Sequence, residues 1–186
     1  AVDAELIALQ MAWLEAIGMD GLELEINSID TPDARRAYVA ELVAFIDARA
    51  GELSADVLRL RDVNPLRAFD TKDPGSRAVL ADAPKITDRL SPAAAGHFAA
   101  VRAFLDARGV AYRVEPTLVR GLDYYTRTVF EFQPREEGSQ STMGAGGRYD
   151  GLIEQLGGQP TPGVGFGSGI ERLIINLKRQ NLGPGD

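Results

Sequence analysis

The segment Arg120-Gly121-Leu122-Asp123-Tyr124-Tyr125-Thr126-Arg127-Thr128-Val129-Phe130-Glu131-Phe132 commits this chain to a sheet. Arg127, Val129 and Glu131 alternate with Thr128, Phe130 and Phe132, the period of two that sends successive side chains to opposite faces of a strand. One face then meets a core, and the charged face, led in by Tyr124 and Tyr125, can floor a cleft. On spacing alone, an ordinary half-buried antiparallel strand with a solvated charged side fits as well.

The partners of that strand lie far away in sequence. Leu22-Glu23-Leu24-Glu25-Ile26 alternates strictly and reads as a strand. It follows a helix in which Leu6, Ile7, Met11, Leu14 and Ile17 recur at helical spacing, with Asp3 as the expected N-cap and Gly18 as the stop. Asp30-Thr31-Pro32 then breaks the chain. From Asp33 to about Arg49 the apolar residues Tyr38, Leu42, Val43, Phe45 and Ile46 repeat as on a helix, and further helices are expected over Ser54–Arg61, Ser76–Ala81 and Pro92–Arg108. No strand signal of similar strength interrupts residues 31–108, so they read as a mostly helical unit inserted between strand-forming flanks. After Gly109 strand signals return at Tyr112–Val114, in the tyrosine segment and near Thr142–Gly144. A short helix is expected over Gly151–Leu156, then a glycine-rich strand and a final helix. The resulting organisation is an α+β fold: a catalytic-domain segment over 1–30, a helical insertion over 31–108 and a second catalytic-domain portion over 109–186.

Composition excludes several classes. With 45% hydrophobic and 25% charged residues the chain is globular, large enough for one core and a small satellite. It has no cysteine, which rules out disulfides and thiolate metal sites and fits a reducing, cytoplasmic setting, and its single histidine, His97, argues against a zinc centre. His97 falls within an expected helix and reads as a solvent-facing structural residue. No apolar run approaches the roughly 20 residues that cross a bilayer, and the first residues lack the basic region of a signal peptide. The net charge of -7 arises at one end: residues 1–30 carry seven acids and no lysine or arginine, whereas the remainder is close to balanced. A nucleic-acid partner is therefore neither suggested nor excluded by charge.

Three blocks together resemble one family. Arg120-Gly121-Leu122-Asp123-Tyr124-Tyr125-Thr126-Arg127-Thr128-Val129-Phe130-Glu131 resembles the histidine-specific signature of histidyl-tRNA synthetases, and Gly146-Gly147-Arg148-Tyr149-Asp150-Gly151-Leu152 resembles their second specific signature. Gly163-Val164-Gly165-Phe166-Gly167-Ser168-Gly169-Ile170-Glu171-Arg172-Leu173 is similar to the last of three signatures shared by class II aminoacyl-tRNA synthetases. Asn64-Pro65-Leu66-Arg67 and Leu80-Ala81-Asp82-Ala83-Pro84 also look like the family, so the resemblance covers nearly the whole chain. It implies a class II antiparallel sheet flanked by helices and interrupted by a helical insertion that closes over the tRNA acceptor end. The implied activity is ATP-dependent activation of histidine and its transfer to the cognate tRNA, by an enzyme expected to be a homodimer. The first two class signatures have no counterpart here, so this portion is expected to be inactive alone. A non-catalytic paralogue that regulates the first enzyme of histidine biosynthesis is the alternative, although such paralogues tend to lose the Arg-Gly-Leu-Asp-Tyr-Tyr signature.

The resemblance also implies residue roles. Bringing a carboxylate against the α-phosphorus of ATP opposes two anions, and an arginine suits the position because it stays protonated and its planar fork grips carboxylate and phosphate oxygens together. At about 4 Å and an effective dielectric near 20, one such contact is worth on the order of 4 kcal/mol. That catalytic role falls to Arg120, which also contacts the histidine carboxylate. Tyr124, Tyr125 and Tyr149 line the histidine pocket, where buried hydroxyls reject side chains lacking imidazole nitrogens. Gly165, Gly167 and Gly169 strip side chains from a strand on which adenine can lie. Arg172, one turn into the following helix, reaches the terminal phosphate of ATP with magnesium accompanying the nucleotide. Glu171 is expected to pair with Arg172, and Asp123, Arg127 and Glu131 to form a charge network on the strand face. No metal site is expected.

Overall fold

In a computed structural model, which describes residues 1–119, 124–135 and 142–182, the strands from both ends of the chain meet in one sheet. The elements run α1 (Val2–Ala16), β1 (Leu22–Ser28), α2 (Arg36–Ala48), α3 (Ala55–Val63), α4 (Pro74–Ala81), α5 (Pro92–Ala107), β2 (Arg113–Val114), β3 (Thr126–Pro134), β4 (Gly144–Arg148), α6 (Leu152–Gln155), β5 (Val164–Ser168) and α7 (Ile170–Arg179), with single 3-10 turns at Ala50–Glu52, Pro65–Asp70 and Ile86–Asp88. The strand order is β2-β1-β3-β4-β5. β1 and β2 are parallel, and the other neighbours are antiparallel. Ile26 pairs with Phe130 and Leu24 with Phe132, so the alternation read in the two segments is in phase.

Three of the helices, α3, α4 and α5, begin where a side chain satisfies a free amide of the first turn. Ser54 accepts from Val57 N, Asp73 from Ser76 N at 2.7 Å, and Ser91 from Ala94 N at 3.2 Å, with Pro74 and Pro92 opening α4 and α5. Ser91 also donates through its amide and hydroxyl to Asp30, which pins the start of α5 to the end of β1.

Two cores flank the sheet. On one face Leu24, Ile26, Phe130 and Phe132 pack with Ile7 and Leu14 of α1 and with Phe98, Val101 and Leu105 of α5. Each fully buried phenylalanine contributes about 1.5–3 kcal/mol from removal of apolar surface from water. On the other face Ile29, Val129 and Tyr125 pack with Tyr38, Leu42 and Ile46 of α2, Val57 of α3 and Leu80 of α4. The period-two reading of the tyrosine segment therefore holds from Thr128 to Phe132, with Val129 and Glu131 on the face opposite Phe130.

Three local expectations change. β3 starts at Thr126, with Tyr124 and Tyr125 before it, and it is irregular near its start: Arg127 is left-handed (φ 52°) and the register with β4 shifts between Thr126 and Val129. Arg127 stays paired all the same: its amide donates to Asp30 O and its carbonyl accepts from Ile29 N, each at 2.8 Å. Asp3 is not an N-cap. Helix α1 begins at Val2, and the Asp3 carboxylate is buried against the sheet. His97 is half-buried at the same place rather than solvent-facing.

Candidate active site

A cleft of about 670 Å³ opens on the Val129 face of the sheet. Among the described residues it is lined by Tyr124, Tyr125 and Tyr149, by Thr142, Gly144 and Ala145 at the start of β4, by Leu152, by Gly165 to Gly169, and by Arg172. Seven of the sequence-derived candidates, Tyr124, Tyr125, Tyr149, Gly165, Gly167, Gly169 and Arg172, thus border one hollow. Arg120 and Asp123 lie outside the described residues.

The tyrosines form a cluster. Ring centroids of Tyr124 and Tyr125 are 4.7 Å apart, and Tyr149 meets them edge-on at 5.9 and 6.5 Å, the tilted arrangement aromatic quadrupoles favour. Arg35, just before α2, donates to the Tyr125 carbonyl at 3.0 Å and ties this corner to the helical unit.

Glycine is required beneath the rings for reasons that differ by position. A Cβ on Gly147 would lie 2.6 Å from Thr128 O and 2.8 Å from the Tyr125 ring. On Gly163 it would strike the Tyr149 ring at 2.5 Å, and on Gly165 the Tyr149 hydroxyl at 2.6 Å. Among Gly147, Gly163, Gly165 and Gly167, the last alone has nothing within 4 Å and is bare toward the cleft. Gly169, beyond the end of β5, lies against the Arg172 side chain.

Arg172 is exposed on the first turn of α7, and its Nη1 approaches Thr142 O at 3.4 Å. Among the described residues no carboxylate pairs with it, and the expected ion pair with Glu171 is not formed: adjacent helical residues point about 100° apart. Its charge is left for the cleft. Thr142 in turn donates to Glu131 at 2.9 Å, and Gln133 donates to the same carboxylate at 2.5 Å. Glu131 is therefore held by neutral donors of β3 and β4, not by a network with Arg127 among the described residues. Among the described residues the cleft lining contains no carboxylate, and no cluster of acids or histidine suited to a metal exists. The described residues of the cleft offer no ligand set for a magnesium ion.

Behind the cleft lies a cluster that the sequence did not reveal. Asp3, 1% exposed, accepts from Thr128 Oγ1 at 2.7 Å and from the Arg148 guanidinium, and it stands 3.3 Å from His97 Nε2. Burial pushes the Asp3 carboxyl up, but hydrogen bonds from Arg148 and Thr128, with the nearby Arg148 guanidinium and His97, outweigh it and hold it below its ordinary value. Hydrogen bonding to Asp3 raises Arg148 in turn. The proximity of His97 to Asp3 would favour imidazolium, yet burial, aided by Arg148 and Arg127, wins and lowers His97, whose Nδ1 is buried without a hydrogen-bonding partner among the described residues. An acid in the first turn of a helix carries no sign that it is buried, because such acids usually face solvent near the helix dipole. Thr142, Ala145, Phe166 and Ser168 were also missed as lining residues. Their only signal is adjacency to the glycines.

The fold is shared with solved histidyl-tRNA synthetases. The apo enzyme of S. aureus superposes with a TM-score of 0.74 at 35% identity, over 98% of this chain and 45% of that one. A Bacillus halodurans structure described as an ATP phosphoribosyltransferase regulatory subunit/histidyl-tRNA synthetase shares the fold, with a TM-score of 0.55 at 22% identity over 95% of this chain and 49% of its own. A sequence model of the family Histidyl-tRNA synthetase matches residues 1–173. The histidine–tRNA ligase of Hydrogenovibrio crunogenus is 51% identical over 181 residues, 97% of this chain and 42% of its own length. The chain belongs to the histidyl-tRNA synthetase family, and it spans less than half the length of these relatives.

Proposed function

We propose that the chain forms the insertion and second half of the catalytic domain of a histidine–tRNA ligase, which joins histidine to ATP as an adenylate and passes it to the cognate tRNA. The observation that carries this reading is the one cleft that three tyrosines, the bare backbone at Gly167 and the exposed guanidinium of Arg172 all border. Tyrosine hydroxyls supply both donors and acceptors to an imidazole, and an amino acid without those nitrogens would leave them desolvated and unmatched. Adenine lies on the backbone at Gly167, and Arg172 takes the terminal phosphate, stabilising charge that leaves with pyrophosphate. Arg120, four residues before Tyr124 in the sequence, holds the histidine carboxylate against the α-phosphate and neutralises the charge that builds up as the carboxylate oxygen attacks. Residues 31–108 form the unit that closes over the acceptor end of tRNA, the complete enzyme is a homodimer, and it works in the cytoplasm. No helix among the described residues is long and apolar enough to cross a membrane.

The test is histidine-dependent ATP–pyrophosphate exchange by the complete protein containing this chain, followed by charging of tRNA. Exchange that requires histidine supports the reading. Its absence in a folded, ATP-binding protein supports the regulatory alternative.

A further inference from the structure

The face of the sheet turned away from the cleft holds a carboxylate that the proposed chemistry does not use. Asp3 is buried, and groups of three other elements converge on it: Thr128 of β3 and Arg148 of β4 donate to it, and His97 Nε2 of α5 stands 3.3 Å away. Desolvating a carboxylate and a guanidinium costs much of what their attraction returns, so a buried pair is weak evidence of a purely stabilising role. Its place in the chain is more telling. Arg148 ends β4, pairing with Thr126 and Val164, and the next residue is Tyr149. The third Arg148 nitrogen, Nη1, donates to Asp150 at 2.8 Å, and the same Asp150 oxygen accepts from Gly163 N at 3.3 Å. Tyr149 N donates to Gly163 O at 2.8 Å, which closes a joint between residues 148–150 and the start of β5. From that joint the Tyr149 ring reaches over Gly163 and sets its hydroxyl above Gly165.

We infer that Asp3 is a positioning residue for the cleft: through Arg148 and Asp150 it fixes the joint that aims Tyr149 across the sheet. The inference deepens the reading of the cleft as a histidine site and rests on it for its kinetic consequence. The geometric consequence is independent of that reading. Asp3→Asn keeps the side chain's shape but removes the charge that orients Arg148. Asp150→Asn breaks the chain of contacts at its other end, on a half-exposed residue outside the cleft lining.

The complete protein, labelled with 3-fluorotyrosine, provides the measurement, with the Tyr149 resonance assigned by its loss in Tyr149→Phe. In both variants the Tyr149 fluorine signal shifts or broadens while those of Tyr38 and Tyr112, which lie away from the cleft, hold their positions. Tyr149 is read as recognising the histidine side chain rather than touching the reacting atoms, and a buried polar group left unmatched lowers affinity by roughly 10- to 100-fold. Accordingly, KM for histidine rises by roughly 10- to 100-fold in both variants while kcat stays within a few-fold, a split that global destabilisation does not produce. Folded Asp3→Asn with an unmoved Tyr149 signal overturns the inference. Should that variant fail to fold, an unmoved signal in Asp150→Asn overturns it equally. A moved signal in a protein without histidine-dependent exchange upholds the positioning role and refutes the histidine reading.

Discussion

Gly165 and Gly167 are neighbours on the same face of β5, and alanine at each should do opposite things. A methyl group at Gly165 would stand 2.6 Å from the Tyr149 hydroxyl, which must retreat to at least the 3.4 Å of ordinary contact. Overpacking of this kind costs about 1–3 kcal/mol. For a domain of this size, 2 kcal/mol lowers Tm by roughly 4–8 °C. At Gly167 a methyl meets nothing within 4 Å, and the backbone there is not left-handed. The loss of unfolded-state freedom then stabilises the protein by about 0.4–1 kcal/mol, and Tm rises slightly or stays. The same methyl occupies the surface on which adenine is proposed to lie, so KM for ATP in the exchange reaction rises at least tenfold. Thermal unfolding followed by circular dichroism, together with exchange kinetics on the complete protein, measures both. Gly167→Ala with wild-type KM for ATP refutes the adenine shelf, and Gly165→Ala with wild-type Tm refutes the packing of Tyr149 against β5.

Arg120→Ala lowers exchange by about 100-fold or more, the usual cost of losing a preorganised charge at a reacting centre, and unchanged exchange removes Arg120 from catalysis. Arg172→Ala raises KM for ATP at least tenfold while leaving Tm within 1–2 °C, since the residue is exposed and has no carboxylate partner among the described residues; an unchanged KM refutes its phosphate role. Acid destabilises the fold in two steps. His97 is lowered from its ordinary 6.5, so below that pH the unfolded chain takes up a proton that the folded one refuses, and stability falls. Asp3 is lowered from 3.8, and stability falls again as its pair with Arg148 is lost below that pH. Guanidinium unfolding midpoints at pH 7.5, 5.5 and 3.5 measure this, and His97→Gln should abolish the first step only; an unaltered first step there assigns it to another group.

Where burial followed a repeating pattern, the sequence sufficed. Leu24 and Ile26 against Phe130 and Phe132, and Tyr38, Leu42 and Ile46 on α2, lie where their periods put them because one face of each element is covered by a core. The cleft was legible as a set of candidates, since glycines and tyrosines clustered in three blocks converge on it. The irregularity near the start of β3 was not legible, because a left-handed Arg127 shifts the register with β4 without a glycine or proline at that position to announce it. Nor was the division of labour among the glycines. Gly163 and Gly165 accommodate Tyr149, a long-range contact to which local sequence is blind, and only Gly167 is bare toward the cleft. Asp3 escaped for a related reason: its partners come from β3, β4 and α5, each more than ninety positions away.

β1 pairs along its whole length with β3, which is synthesised only after the helices between residues 28 and 126. At a translation rate of about 5–20 residues per second, β1 emerges from the ribosome roughly 5–20 seconds before its antiparallel neighbour exists. During that interval Leu24 and Ile26 have no sheet to cover them, and α1 has only half a surface to lie on. A nascent chain paused in this stretch is therefore a natural client for a chaperone.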